Sequence, residues 1–372
     1  MAEYKTLVKK IPVSPDKKTK QKDYLKKGRL PIVDQGQSLV GGYTDDADMA
    51  VKCELPVIVF GDHTRTVKYI TFPFGAGADG IKVLQPKENI LPPFLYYGTQ
   101  NIVAKMPNRG YARHYQYVEK EDLPVPSLPE QERIVARIEE LFSQLDAGVE
   151  TLKKTKAQLS VYRQAVLKEA FSCCAEKKSI REMSSIVTSG SRGWAKYYCD
   201  NGAKFIRIGN LTRNKIYIDL DDIQHVQLPD KAEGTRTKLA PNDVLVSITA
   251  DLGNIGLVPN GIGEAYVNQH IAMIRFNNQM QGEFYAWYLR SEYGQQDLLR
   301  NKRGGGKLGL GLDDIRDSRV PVVSNETAES ILSIIECRLS VCDSIEHTVD
   351  LALQQAEAMR QSILKDAFEG RL

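Results

Sequence analysis

The sequence predicts an α+β chain: two globular mixed α/β segments in a pseudo-two-fold arrangement, separated by a pair of long antiparallel coiled-coil helices. Three observations predict it. The first is a repeat. Tyr162–Phe171 (YRQAVLKEAF) returns as Met359–Phe368 (MRQSILKDAF), and the offset carries back without a gap through Pro124/Pro321, Ser127/Ser324, Ile134/Ile331, Ile138/Ile335 and Asp146/Asp343. A fixed offset over so long a stretch implies two copies of one architectural unit. The second is a heptad stripe in each copy. The third is the content of the two remaining segments, short β-type runs punctuated by glycine, proline and asparagine. The implied organisation is a globular segment over 1–122, a helical spacer over 123–173, a second globular segment over 174–319 and a second spacer over 320–372.

Each element follows from its residues. In the first globular segment Leu55–Phe60 and Gly80–Leu84 read as strands. Pro129 then suits the first turn of a helix, and Glu130 and Glu132 suit the positive end of its dipole. No further proline appears before Phe171. Ile134, Ile138, Leu141, Leu145, Leu152, Leu159, Tyr162 and Val166 recur at steps of three, four or seven, with Gly148 and Thr155 at the remaining seam positions. A helix of about forty residues is roughly 60 Å long. In the second globular segment Lys204–Ile208, Asp243–Ile248 and Ile271–Phe276 read as strands. The second helix carries Ile331, Ile335, Cys342, Ile345, Val349, Ala352, Ala356, Met359 and Ile363 on its seam, with Arg338 as its polar exception. The seams complement one another in bulk, which predicts that the two helices pair within one chain.

Composition sets the outer limits. At 372 residues, with 42% hydrophobic and 26% charged residues, the chain has the make-up of a globular protein with several cores. No apolar run is long enough to span a bilayer and Met1–Lys5 is no signal peptide, so a cytoplasmic, membrane-free location is expected. The six cysteines show no metal-ligand spacing and read as idle or buried thiols. Net charge is only +3, but residues 1–30 hold nine lysines and Arg29 against Glu3, Asp16 and Asp23. That run reads as a solvated arm able to neutralise phosphates.

Each globular segment closes with a basic, glycine-containing loop just before its long helix: Lys105–His114 (KMPNRGYARH) in the first, Arg300–Lys307 (RNKRGGGK) in the second. Glycine lets backbone amides approach a phosphate, and arginine can fork onto phosphate oxygens or a guanine edge. Catalytic motifs fail on inspection. Leu91-Pro92-Pro93-Phe94 has leucine where an amino methyltransferase needs an amide or carboxylate. Gly304–Leu308 lacks the Ser/Thr of a phosphate loop. Asp62-His63 has no accompanying nucleophile and reads as a turn or a base-contacting pair.

Leu123–Val135 (LPVPSLPEQERIV), running into Leu167–Phe171, resembles the central conserved region of type I restriction–modification specificity subunits, and Ser362–Leu372 resembles their distal one. Pro31–Gln37 and Phe205–Asn210 are similar to stretches of that family's target recognition domains. One departure is visible: a full first repeat would begin before Met1, so the first recognition segment is expected to lack an opening of about 24 residues by the repeat offset.

The resemblance implies a non-catalytic subunit that reads a bipartite site in double-stranded DNA, one half per globular segment, with the helix pair setting the spacing. Half-sites about one helical turn apart (roughly 34 Å) present the same face of the duplex. It further implies two methyltransferase subunits and two motor–nuclease restriction subunits as partners. S-adenosylmethionine, ATP and magnesium would reside in those partners, with no cofactor or metal in this chain. The first candidates for DNA contact are Lys105, Arg109, Arg113, Arg300, Lys302, Arg303 and Lys307 in the basic loops. His63, Arg65, Arg192, Arg207 and Arg213 follow. Two other classes remain: a single-chain methyltransferase with its own recognition domain, and a coiled-coil scaffold that binds no DNA.

Overall fold

The computed structural model describes residues 1–77, 80–107, 110–213, 215–228, 236–300 and 309–372. Met1–Lys153 with Val349–Leu372 form one compact unit, and Lys154–Thr348 form the other. Each unit therefore contains one globular segment, part of the proximal helix Leu128–Ala170 and part of the distal helix Asn325–Phe368.

In the first unit an antiparallel sheet runs in the spatial order Val8–Ile11, Ile81–Pro86, Val57–Gly61, Val67–Ile70. Its central strand is Val-Ile-Val-Phe-Gly and is buried throughout. Because strand side chains alternate between faces, this run feeds two cores at once. Ile58, Phe60 and Leu84 join a core with the helix Pro92–Lys105 and the long helices. Val57, Val59 and Val83 join another with Val33, Phe74 and Ala76. The latter residues belong to or adjoin a second, mixed sheet ordered Lys18–Thr19, Gly75–Gly77, Leu30–Val33, Gly42–Thr44. The layers are thus helices, antiparallel sheet, mixed sheet.

The second unit repeats the plan. Ser184–Ser189, Ile271–Phe276, Val244–Ser247 and Ile255–Leu257 form the antiparallel sheet. Tyr198–Cys199, Gln224–Val226, Ala203–Ile206 and Ala265–Val267 form the mixed one. Val244, Val246 and Ile274 face the helical core, while Leu245 and Met273 face Ile206 and Val267. The parallel pair in each mixed sheet, Leu30–Val33 with Gly75–Gly77 and Ala203–Ile206 with Ala265–Val267, occupies the same place in both copies.

The long helices are antiparallel in both units. In the first, Arg133 Nη2 donates to the Leu372 carbonyl at 2.9 Å, while Arg360 pairs with Asp146 and lies 4.2 Å from the Phe142 ring centre. In the second, Arg163 meets Asp343 at 2.6 Å and Glu346 at 2.9 Å, and Arg338 meets Glu169 at 2.5 Å. Apart from the part-buried Arg163–Glu346 contact, these pairs are exposed, so each of them contributes at most about 1 kcal/mol. Apolar packing carries the junctions. Phe368 sits 5.0 Å from Phe94, and the equivalent Phe171 sits 5.4 Å from Phe284 and 5.3 Å from Tyr288. Burying each phenyl ring is worth about 2–3 kcal/mol.

Two expectations need correction. The buried stripe departs from the heptad seam: Ile345 is 40% exposed, Met359 56% and Tyr162 48%, whereas Val135, Phe142, Leu167, Leu339 and Leu364 are buried. Each helix segment packs on a globular core as well as on its partner helix, so its apolar face is wider than a two-residue seam and turned away from it. Ile134, Ile138, Leu159, Ile331, Ile335 and Val349 are buried; Leu141, Leu145, Leu152 and Ile363 are half-buried.

The basic N-terminal stretch is also no free arm. Ala2–Glu3 pairs with Asp122–Leu123, Tyr4–Leu7 is a helical turn, and Val8–Ile11 edges the antiparallel sheet. This copies Lys177–Ser179 with Arg319–Pro321, Ile180–Met183 and Ser184–Ser189. Tyr4, Leu7 and Val8 are buried, and that burial holds the segment down while its lysines face water. The opening strand is therefore present. The first copy is shorter inside, where residues 34–41 connect strands that 207–223 connect in the second. Among the described residues, no helix is long and apolar enough to cross a membrane.

Candidate nucleic-acid interface

In the first unit the hairpin turn 61–66, the loop 34–38 and residues 110–114 converge at one end of the antiparallel sheet. Asp62 is 3% exposed and anchors them. Its carboxylate accepts from the Tyr115 amide at 2.8 Å and pairs with Lys82 at 3.4 Å, while its carbonyl accepts from the His114 amide at 2.8 Å. Asp62 is thus a structural weld. His63 beside it faces outward: its ring stacks on Tyr111 at 4.2 Å, and its Nδ1 donates to the Ala112 carbonyl at 3.2 Å. That leaves Nε2 as the acceptor of the neutral ring. Tyr111 is 83% exposed, an aromatic face displayed to solvent.

The loop 34–38 is fixed from below. Thr64 and Thr66 hydroxyls donate to the Gln35 carbonyl at 2.6 and 3.0 Å, and Lys68 Nζ donates to the Asp34 and Ser38 carbonyls at 2.7 and 2.5 Å. Burial lowers the Lys68 pKa, against the opposing pull of Asp34. Gly80, at φ +91°, admits Gln35 and His63 where a Cβ would lie 2.6 Å from Gln35 Oε1. Among the described residues the Gln35 carboxamide is tied only by a long 3.4 Å bond from the His63 amide to its oxygen.

The second unit builds the same end. The Leu310 amide donates to the Ile248 carbonyl, and the Ile248 amide to the His270 carbonyl, matching His114 with Asp62 and Asp62 with Gly80. Leu310, just after its basic loop, and His114, at the end of its own, therefore meet equivalent points of equivalent sheets. At this end of the second unit, Thr249 Oγ1 lies 2.7 Å from His270 Nδ1, and Gln269 Nε2 donates to His270 Nε2 at 2.8 Å. Arg207, Asn210, Asn268 and His270 line a cleft with Asp219, Asp221 and Asp222.

The sequence candidates divide accordingly. His63, Arg65 and Arg113 come together at the first end: Arg65 Nη1 donates to the Met106 carbonyl at 3.2 Å, binding the turn to the basic loop, and Arg113 is exposed. Lys105 pairs instead with Glu369 of the distal helix at 3.5 Å, which makes it a helix-packing residue. Arg207 lies at the second end, 3.5 Å from Asp222 and among acids that oppose a phosphate. Arg213 pairs with Asp251 at 2.5 Å and lines a different cleft. Arg192 is exposed after the edge strand, and Arg300 meets Asp297 at 3.7 Å. Arg109, Lys302, Arg303 and Lys307 lie outside the described residues. Sequence reasoning passed over Gln35, Tyr111, Thr249, Gln269 and His270. It weighed positive charge, whereas amide and imidazole groups on converging loops also read base edges.

Residues 10–160 and 175–355 match the family profile described as type I restriction modification DNA specificity domain. The chain is 26% identical over 280 residues to the type I restriction enzyme EcoBI specificity subunit of Escherichia coli, covering 67% of this chain and 58% of that one. A similar Salmonella potsdam subunit, that of StySPI, is 27% identical and also covered to 58%, so the chain spans little over half the length of these relatives. The EcoR124I/EcoR124II specificity subunit of Escherichia coli is 22% identical over 371 residues, covering 92% of this chain and 88% of the relative. A solved chain from work on complex assembly and conformational transition of the type I R-M system shares the fold. Its TM-score is 0.68 at 14% identity, with 100% of this chain and 97% of that one covered.

Proposed function

Because the chain belongs to the type I restriction modification DNA specificity family, we propose that it is the non-catalytic DNA-reading subunit of a type I restriction–modification enzyme. Each globular segment reads one half of a bipartite duplex site through the loops at the end of its antiparallel sheet. The paired helices set the distance between the halves in a pseudo-two-fold plan. The observation that carries this reading is the duplication itself: two antiparallel sheets of identical order, each ending in converging polar loops, each seated on both long helices.

Two methyltransferase subunits dock on the two halves and flip the target adenines into their own pockets, and two motor–nuclease subunits complete the restriction form. S-adenosylmethionine, ATP and magnesium serve those partners, and the assembly works in the cytoplasm. This chain's residues supply orientation and discrimination: exposed arginines and lysines hold phosphates, while Gln35, His63 and the Gln269–His270 pair present donors and acceptors to base edges.

Mapping methylated adenines in cells that express the complete system tests the proposal. The expected result is a split motif, two short defined blocks with an unspecified gap of fixed length, abolished by deleting this chain. A single continuous motif, or methylation that persists without the chain, overturns it.

A further inference from the structure

The second unit contains a cleft of about 460 Å³, separate from the one that Arg207 and His270 line, bounded by Lys156, Arg163, Thr212, Arg213, Asn254 and Arg290 together with Glu346 and neighbours. Its charges do not balance. Lys156 and Arg163 share Glu346, Arg163 also holds Asp343, and Arg213 holds Asp251. Arg290 is left over. Among the described residues its guanidinium has no carboxylate within ion-pair reach; Nη1 donates to the Lys215 carbonyl at 2.6 Å, and the group lies 5.8 Å from the Trp287 ring centre. Burial, together with repulsion from Arg163 and Arg213, pushes its pKa down to about 10.

A second observation comes from the same wall. Asn254 is 7% exposed; its Nδ2 donates to Asp251 at 2.7 Å, which fixes the amide, and its Oδ1 is buried without a donor. The cleft therefore lacks one negative charge and one O–H or N–H donor. A guanidinium fork matches the oxygens of a phosphate. A hydrogenphosphate, which keeps one proton at neutral pH, brings the anionic oxygens and an O–H together. A DNA phosphodiester has no O–H to give. We propose that this cleft binds a small free phosphate anion of the hydrogenphosphate or pyrophosphate class, held by Arg290 with Arg213 and Asn254.

Among the described residues of the other unit no equivalent cleft stands at the matching place. The repeat places Arg360 at the position of Arg163, but the first-unit cleft holds Arg360 among Tyr96, Tyr97, Gln100, Glu139 and Asp146, with Val149 where Glu346 stands. The acids there outnumber the cation. Binding is confined to the second unit, one anion per chain.

Calorimetric titration of the full chain with inorganic pyrophosphate at neutral pH tests this, with thermal unfolding as a parallel readout. The expected result is one site per chain and an unfolding temperature that rises with pyrophosphate. Arg290→Gln should weaken the binding at least tenfold. Should that variant unfold, Arg213→Gln at the exposed rim should weaken it as well, with the fold intact. No saturable heat, two equivalent sites, or undiminished binding in both variants overturns the proposal. So does a variant that loses affinity only for duplex DNA. None of these outcomes bears on the split-motif test, which depends on the reading loops.

Discussion

Replacing Gln35 with alanine separates reading from folding more cleanly than any change in the basic loops. The loop that carries Gln35 is held through its backbone, by Thr64 and Thr66 on its carbonyl and by Lys68 on the carbonyls of Asp34 and Ser38. Among the described residues the side chain takes only the 3.4 Å bond from the His63 amide. Truncation thus removes one weak contact on a half-exposed side chain, a cost below about 0.5 kcal/mol. For a unit of this size that moves the unfolding temperature by about 1–2 °C. The carboxamide carries an acceptor and two donors, the pair of functions that grips adenine N6 and N7, worth about 1–3 kcal/mol against a wrong base. At 1.4 kcal/mol per factor of ten, one position of the first half-site should relax by about 5- to 150-fold. The assay is competition binding of the assembled methyltransferase complex to duplexes randomised one position at a time, beside thermal unfolding. A uniform loss across all sequences, or a drop of several degrees in unfolding temperature, refutes the reasoning.

Three further outcomes follow from the geometry. Tyr111→Ala, at an 83% exposed ring that stacks on His63, should leave stability within about 0.5 kcal/mol yet lower duplex affinity, measured by fluorescence anisotropy. Arg65→Ala removes the bond to the Met106 carbonyl, costing about 0.5–1.5 kcal/mol, and should speed amide hydrogen exchange at the described residues after Met106 without touching the second unit. Phe171→Ala empties the ring's place between Phe284 and Tyr288 and should cost about 3–5 kcal/mol by chemical denaturation; a loss under 1 kcal/mol would mean that this helix end does not anchor the second unit.

Much of this protein was readable in its residues alone. The repeat, the two helices and the β character of the segments between them depend on local periodicity and on copy matching copy, and both survive in a one-dimensional string. The equivalence of the two basic loops was likewise visible, since each precedes a helix that announces itself. Tertiary structure decided the rest. Lys105 looked like a loop cation and became a partner of Glu369, a residue 264 positions away. Ile345 and Met359 fit the heptad and face water, because the globular cores claim a different side of each helix. The lysine-rich opening looked like an arm until Tyr4, Leu7 and Val8 found a core to enter. Nothing in the sequence singles out Gln35 within Pro31–Gln37, Tyr111 within its basic loop, or His270; only the folding of distant loops to one sheet end gives them neighbours. Periodicity fixes what a segment becomes, because hydrogen bonding and side-chain direction are local. Which charges meet, and which face is buried, depends on packing between segments far apart in the chain.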